Sequence, residues 1–499
     1  MALLHLVPGA AHPLHDTVQS RAIETQALAG LPPHTLMRRA GAAVARLARA
    51  LAPHARSIWI ACGPGNNGGD GLEAAVQLKA AGLDPVVTWL GRPDHAPADS
   101  LWAHQRAQQA GVRFAEAPPA DCALAIDAVL GLGARGVDPD SPVAKLLHTL
   151  SQQTLRLAVD CPSGLNIDTG QADALTPPAQ HTLSLLTLKP GLWTADGRDA
   201  CGDLWWDDLD VEPQVFQSPP PCASLIQPEP PTPWRHTWHK GSRGDVTVVG
   251  GAPGLSGAAI LVASSAIHKG AGRVFLCFLG NQTPVRLDAH PALMTRTLAE
   301  APTRTAVVVC GCGGGTAVAD ALPDLLRNSP RRVLDADALN AIAATPTLQT
   351  LLTQGAASGH ASVLTPHPLE AARLLGCSTV DVQADRLRAA QRLADRFQAV
   401  VVLKGSGTVL AAPGQRIAIN PTGHPRLATA GSGDVLAGWI AARWAQGQSA
   451  WQSACTAVFE HGLAGQRWPE NLALTADALA SCPLDYYQHD SALRIQCVG

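Results

Sequence analysis

Short runs of consecutive apolar residues alternate along this chain with longer alanine- and leucine-rich stretches. In the first 210 residues, SIWIACG (57–63), PVVTWLG (85–91), CALAIDAVLG (122–131), LRLAVDCPSG (155–164) and HTLSLLT (181–187) read as strands, with helix-like runs such as GLEAAVQLKAAG (71–82) between them. The style repeats in DVTVVGG (245–251), GRVFLCF (272–278), AVVVCG (306–311), ASVLTP (361–366) and AVVVLKG (399–405). Strands that are apolar throughout, separated by helices, predict a parallel sheet covered on both faces, so both halves are expected to be α/β. Between them lies VEPQVFQSPPPCASLIQPEPPTP (211–233), proline-rich and without helical or strand period. It predicts an extended connector over 216–233, joining a domain at 1–215 to one at 234–499. No repeat of 20–50 residues is visible, which argues against a solenoid.

Composition narrows the picture without changing it. A chain of 499 residues accommodates two or three domains. Its formal net charge of −3 gives no bias toward nucleic acid or an anionic membrane. No apolar run reaches the ~18 residues of a membrane span, and MALLHLVPGAAHPLHD lacks the pattern of a signal peptide. The 12 cysteines include no CxxC, and Cys310 and Cys312 sit in a glycine-rich turn rather than at zinc-finger spacing. These features predict a cytoplasmic protein with reduced thiols and no nucleic-acid or membrane partner.

The densest chemistry in the first half is Gly63-Pro64-Gly65-Asn66-Asn67-Gly68-Gly69-Asp70-Gly71, which follows a strand and opens a helix. Such a turn lies at the carboxyl edge of a doubly wound sheet, where ligands bind, and free amides at a helix start attract anions. It is neither GxGxxG nor a Walker loop, which speaks against a dehydrogenase. Asp127 runs into the glycine loop Gly131-Leu132-Gly133, and Asp160 and Ser163 stand in Asp-Cys-Pro-Ser-Gly at another strand end. A single aspartate there is often only a cap or turn former, but three such corners on successive strands point to one shared site. Oxygens of Asn67, Asp127 and Ser163 suit a hard monovalent or divalent cation.

With LPPHTLMRRAG (31–41), these motifs resemble the YjeF N-terminal domain family, the NAD(P)H-hydrate epimerases, over residues 10–210. The resemblance implies a Rossmann-like, three-layer domain with a parallel sheet that binds hydrated NADH or NADPH (NADHX, NADPHX). It implies hydrate contacts at Asn66, Asn67, Gly68, Gly69 and Asp70, and at Gly131, Leu132, Gly133, Ala134, Arg135, Gly136 and Val137. Asp160 would bind the hydrate and act as acid and base, and Asn67, Asp127 and Ser163 would hold K+. Cys161 and the Gly131-Leu132-Gly133 turn depart from the family pattern without removing a functional group.

The second half ends in Asn420-Pro421-Thr422-Gly423 and Thr429-Ala430-Gly431-Ser432-Gly433-Asp434 entering an apolar helix. Amides at that helix start can stabilise transferring phosphate oxygens, and the aspartate can take a proton from an attacking hydroxyl. Val400-Val401-Val402-Leu403-Lys404-Gly405-Ser406-Gly407-Thr408 is a strand ending in a tight turn. Thr365-Pro366-His367-Pro368-Leu369-Glu370 and Asp335-Ala336-Asp337 follow two more strands. In this order, with HKGSRGDVTVVGG (239–251) and SGAAILVASSAIHKGAG (256–272), these motifs resemble the ribokinase-like superfamily, and within it the NAD(P)H-hydrate dehydratases, over residues 234–495. The resemblance implies a ribokinase-like α/β domain in which Ala258, Gly313, His367 and Asp434 contact the hydrate. Lys404, Gly405, Ser406, Gly407, Thr408 and Gly433 would bind ADP or its product AMP, with Asp434 catalytic and Mg2+ on the phosphates. Leu369 replaces a usual glycine, CGCGGG (310–315) a GPGLG-like turn, and His424-Pro425-Arg426-Leu427 a commoner Asn-x-Gly-Met.

Together the two halves predict a homo-oligomer, tetrameric or larger, that repairs hydrated nicotinamide nucleotides by epimerisation and ADP-driven dehydration. A ribokinase-like small-molecule kinase would leave the first half without a role. A binding scaffold built on a retired epimerase would have lost its site carboxylates, whereas Asp70, Asp127, Asp160 and Asp434 are all present.

Overall fold

The computed structural model describes residues 3–120, 122–133, 136–229, 235–280 and 287–482. It divides the chain into two compact units, one holding His12–Ser224 and the other Leu225–Ala492 as their main segments. Of the expected connector, the described residues 216–229 hold more than extended chain: the one-turn helix Pro213–Gln217 and the strand Ala223–Leu225 fall within or across them. Proline at that density permits short elements wherever its fixed φ suits a turn or a sheet edge.

The first unit is built on an 8-stranded sheet in the order Leu4–His5, Asp203–Asp207, His181–Leu185, Arg156–Val159, Leu124–Ala128, Ser57–Cys62, Asp84–Trp89, Arg113–Phe114. Every pairing is parallel except that of Leu4–His5. Alternate residues of one strand face opposite layers. Ile58, Ile60 and Cys62 therefore join a core with Met37, Val44 and Leu72. Trp59 and Ala61 join another with Leu146, Leu147 and Leu150. Both faces are buried, which is why the strand has no polar alternation, and the three layers are Rossmann-like. Glu73 is fully buried in the helix Asn66–Ala80 and tolerates this through Arg106, whose Nε donates at 2.9 Å.

In the second unit the sheet runs Met294–Thr295, Arg273–Phe278, Asp245–Gly250, Val307–Cys310, Arg331–Leu334, Ala361–Leu364, Val400–Leu403, Val409–Ala411, Ile417–Ile419. It is parallel up to Val400–Leu403, and the last two strands return antiparallel. Helices Ser256–His268, Ser432–Ala445 and Ala450–Arg467 bury Val262, Trp439 and Phe459 against one face. This is a ribokinase-like α/β unit. Among the described residues no helix is long and apolar enough to cross a membrane.

Candidate active sites

In the first unit the chain runs outward from Ser57–Cys62 and returns to its other side at Leu124–Ala128. The carboxyl ends of these two strands are a topological switch point, where a doubly wound sheet opens a crevice. A cavity of about 480 Å³ lies there. Asn66, Asn67, Asp70, Gly131, Leu132, Gly133 and Asp160 all line it, with Leu36, Met37, Leu186 and Leu209 forming an apolar wall.

Other expected contacts lie elsewhere. Gly68 and Gly69 are buried inside the first turn of Asn66–Ala80. A side chain at Gly68 would strike the Gly63 carbonyl, and one at Gly69 would meet Met37 Cε at 2.7 Å. Their smallness serves close packing, of Gly68 on the turn after strand Ser57–Cys62 and of Gly69 on the helices Thr35–Leu51 and Ala98–Gln109. Gly136 and Val137 are not among the cavity-lining residues; the Val137 amide donates to Asp173 Oδ2 at 3.1 Å and its side chain packs on the Trp59 core. Ala134 and Arg135 lie outside the described residues.

Asp160 is 7% exposed and adopts φ +66°, unusual for a non-glycine residue. Its carboxylate accepts from the Leu185 amide at 3.1 Å and from the ammonium of Lys189. Lys189, 1% exposed, also donates to Ser184 Oγ at 3.2 Å and Leu185 O at 2.9 Å. Sequence reasoning missed this lysine, although Leu188-Lys189-Pro190 follows the strand His181–Leu185 just as the other site motifs follow theirs. Burial first, then the charges of Asp160, Glu24 and Asp99, push the Asp70 carboxyl well above the usual carboxylate range, with Lys189 opposing. Glu24, from helix Thr17–Ala29, lines the same cavity and is raised by burial and Asp160.

Beside the cavity, Asp127 is 1% exposed and accepts from Ser163 Oγ at 2.6 Å, Ser163 N at 2.9 Å and Val129 N at 3.2 Å. Burial raises its carboxyl despite these bonds. Asn67 Cγ approaches within 3.1 Å of where a side chain on Gly131 would begin, and its buried Nδ2 has no hydrogen-bond partner among the described residues. Since amide O and N are interchangeable by a flip, a buried carboxylate, a hydroxyl and an unsatisfied amide fit an oxygen-ligated cation such as K+.

The second unit has its own switch point, between Asp245–Gly250 and Val307–Cys310. Gly313 follows the latter strand and faces helix Ser256–His268. A side chain on Gly313 would meet Ala258 Cβ at 2.9 Å. Lys404 Nζ donates to Asp335 Oδ1 at 2.8 Å and lies 3.3 Å from where a side chain on Gly433 would begin. Cys312 Sγ and carboxylate oxygens of Asp335 and Asp434 lie within 4.8 Å of one another. Burial alone would lower the Lys404 ammonium, but Asp335 and Glu370 outweigh it and hold it above its ordinary value. Burial, then the charge of Asp335, pushes Asp434 up to about 6, with Cys312 and Lys404 opposing. Cys312 and Asp335 were given no role in the sequence analysis, and both belong to this cluster.

His367 does two things. Its Nδ1 caps helix Pro368–Leu375, accepting from the amides of Leu369 at 3.1 Å and Glu370 at 3.3 Å, while Glu370 reaches back to the His367 amide at 2.8 Å. This is a capping box with histidine in place of serine. Its Nε2 pairs with Glu370 Oε1 at 3.2 Å, and burial and the charge of Lys404 lower the basicity of the ring. The turn Lys404–Thr408 closes with Thr408 Oγ1 donating to Gly405 O at 3.1 Å.

Fold and sites together define a two-module α/β enzyme, with a carboxylate-lined cleft at the switch point of a Rossmann-like unit and a glycine-rich helix start beside a raised carboxyl on a ribokinase-like one. Residues 33–191 match the family model described as YjeF-related protein N-terminus, and residues 246–484 match that of NAD(P)H-hydrate dehydratase. The bifunctional NAD(P)H-hydrate repair enzyme Nnr of Escherichia coli is 34% identical over 468 residues, covering 90% of this chain and 88% of that protein. The Coxiella burnetii enzyme of the same name is 34% identical over 480 residues, covering 92% and 95%. Among solved structures, the ADP/ATP-dependent NAD(P)H-hydrate dehydratase of Bacillus subtilis, co-crystallised with ATP and Mg2+, is 25% identical over 51% of this chain and 91% of its own, with a TM-score of 0.42. The chain belongs to the family of bifunctional NAD(P)H-hydrate repair enzymes.

The buried Lys189–Asp160 pair yields a stability prediction. Lys189→Met strands a buried carboxylate and is expected to cost about 3–5 kcal/mol. Adding Asp160→Asn removes that charge and recovers a large part of the loss. Chemical denaturation of the two single variants and the double variant checks this; additive losses would show that the pair is not coupled.

Proposed function

We propose that this chain repairs hydrated NADH and NADPH in two steps, epimerising R and S hydrates in the first unit and dehydrating the S hydrate with ADP in the second. The observation that carries this reading is that each unit gathers its carboxylates at its own switch point, beside the glycine-rich turn expected to bind its ligand.

In the first site the hydrate's nicotinamide ring would lie against the apolar wall, with its hydroxyl-bearing carbon toward Asp160 and Asp70. The ring nitrogen's lone pair expels the hydroxyl, which takes a proton and leaves as water. Water then re-adds to the planar carbon from the other face and returns a proton. Asp70, whose surroundings favour the protonated form, is suited to give the proton, and Asp160 to take one. K+ held by Asn67, Asp127 and Ser163 would offset the buried charge of Asp127 and fix the two loops.

In the second site Ala258, Gly313 and His367 would hold the hydrate, and Lys404–Thr408 and Gly433 the nucleotide. Asp434 takes the hydroxyl proton as that oxygen attacks the β-phosphorus of ADP, and AMP departs. The ring nitrogen then expels phosphate, a far better leaving group than hydroxide, and loss of a ring proton restores the dihydronicotinamide. Hydrate and ADP thus give NAD(P)H, AMP and phosphate. The first-turn amides of Ser432–Ala445 offset charge on the transferring group. Mg2+ would travel on the nucleotide phosphates: Asp335 is already engaged by Lys404, and the Cys312 thiol is a poor ligand for a hard cation.

The test is to give mixed R and S hydrates, ADP and Mg2+ to the chain and follow the reduced-nicotinamide absorbance. Complete recovery is expected. Asp160→Asn should stop recovery at the S share, and Asp434→Asn should lower dehydration by about 10²–10⁴-fold. Full recovery by Asp160→Asn would sink the epimerase assignment, and an unimpaired Asp434→Asn the base assignment.

A pH dependence follows from Asp434. With its carboxyl raised to about 6, the base form prevails above that pH and is lost as pH falls through it. The kcat/KM of dehydration should therefore show an acid limb centred near pH 6, about two units above an ordinary carboxylate. A rate flat from pH 7 down to 5 would contradict this.

A further inference from the structure

Arg386 opens the helix Arg386–Phe397 and is 1% exposed, on the inner side of the turn that follows strand Val400–Leu403. Its Nη2 donates to the carbonyls of Leu403 and Lys404, each at 3.2 Å, and its Nη1 to Gln383 Oε1 at 2.7 Å. Burial lowers the guanidinium to about 10, so it remains charged at neutral pH. A side chain on Gly405 would meet both terminal nitrogens of Arg386 at 2.9 Å, and Gly405 itself has φ +137°, a conformation open to glycine. The arginine therefore fills the space behind the turn and decides which way its peptide planes face.

A trans peptide points its carbonyl and its N–H in opposite directions. The Lys404 carbonyl is drawn inward onto Arg386, so the N–H of Gly405 is turned outward. Gly405 is exposed, and its own carbonyl is held by Thr408 Oγ1. The neighbouring plane is fixed as well, because the Lys404 amide donates to Pro366 O at 2.9 Å. We propose that Arg386 is a positioning residue that, through the Lys404 carbonyl, aims the Gly405 N–H at a phosphate or ribose oxygen of the adenine nucleotide. This rests on reading Lys404–Thr408 as the nucleotide-binding turn. Arg386 never touches the nucleotide; it fixes the direction of a donor that does.

The experiment uses the full chain with ADP and Mg2+, combining titration calorimetry, hydrogen–deuterium exchange at the Gly405 amide and steady-state dehydration. In the wild type, ADP slows exchange at Gly405. Arg386→Met is expected to bind ADP about tenfold more weakly, the equivalent of one charge-assisted hydrogen bond, and to lose that protection. The KM for ADP rises while kcat and the epimerase rate stay within about twofold, a split that general destabilisation would not produce. Arg386→Lys, which keeps a cationic donor, recovers part of the affinity. Arg386→Met that binds ADP as the wild type does, with Gly405 still protected, overturns the proposal. If Arg386→Met does not fold, Gln383→Leu, which frees Nη1, replaces it; a KM for ADP raised about two- to fivefold supports the proposal, and an unchanged one overturns it. Absence of ADP protection anywhere in 404–408 of the wild type would instead overturn the nucleotide reading on which the proposal stands.

Discussion

Each unit depends on a lysine that pairs with a carboxylate at another strand end of its sheet: the buried Lys189 with Asp160, on adjacent strands, in the first, and the part-buried Lys404 with Asp335, two strands apart, in the second. A parallel sheet makes such pairs unavoidable once it carries chemistry. All its strands end on the same edge, so the polar groups that follow them crowd together where helices cover both faces and water is scarce. A lone carboxylate there would be costly to ionise. A lysine with good geometry and further acceptors makes ionisation tolerable, and Lys189 has both Ser184 and Leu185 O besides Asp160. The pairs also divide the labour of the carboxylates. Asp160 and Asp335 are the partnered ones, while Asp70 and Asp434, nearby and less well compensated, are pushed toward the protonated form. A carboxyl held toward its protonated form in a crevice is suited to proton transfer near neutral pH.

The α/β architecture was legible because both faces of each sheet are covered, leaving strands such as SIWIAC and VVVL apolar without alternation. Strand Arg331–Leu334 was legible only as the strand that Asp335-Ala336-Asp337 follows, since two arginines in four residues do not themselves read as a buried strand. Arg332 is nevertheless fully buried, with its Nε donating to Ser362 Oγ at 3.1 Å and its Nη1 to Leu326 O at 2.5 Å. The returning strands Val409–Ala411 and Ile417–Ile419 were too short to announce themselves.

The sites were legible as strand-end motifs, but the job of each residue within a motif was not. In NNGGDG the asparagines and Asp70 face the cavity, whereas Gly68 and Gly69 serve the packing of the helix. A run of letters cannot show that division, because it depends on which turn and which neighbouring helices crowd each position in the fold. His367 stands between two prolines and was expected only as a hydrate contact. The structure adds a second role: it is the cap of a helix as well as a neighbour of the site. Lys189 and Arg386 were missed for a common cause. A cation buried among partners from elsewhere in the chain, Asp160 and Ser184 for Lys189 and the Leu403 and Lys404 carbonyls for Arg386, acquires its role only when the fold brings them together.

On the proposed chemistry, the fusion of these units answers a stereochemical limit. A dehydratase that positions one hydroxyl for in-line attack on phosphorus must fix the face of the ring, so it accepts one epimer and leaves the other to accumulate. Flattening and rehydrating the carbon needs no phosphate and no fixed face, only a proton donor and an acceptor beside an apolar wall. These demands conflict within a single crevice: the first requires an anion hole and a rigid hydroxyl, the second a hydroxyl free to depart. Two switch points on two sheets resolve the conflict, and each then tolerates its own buried carboxylates independently of the other.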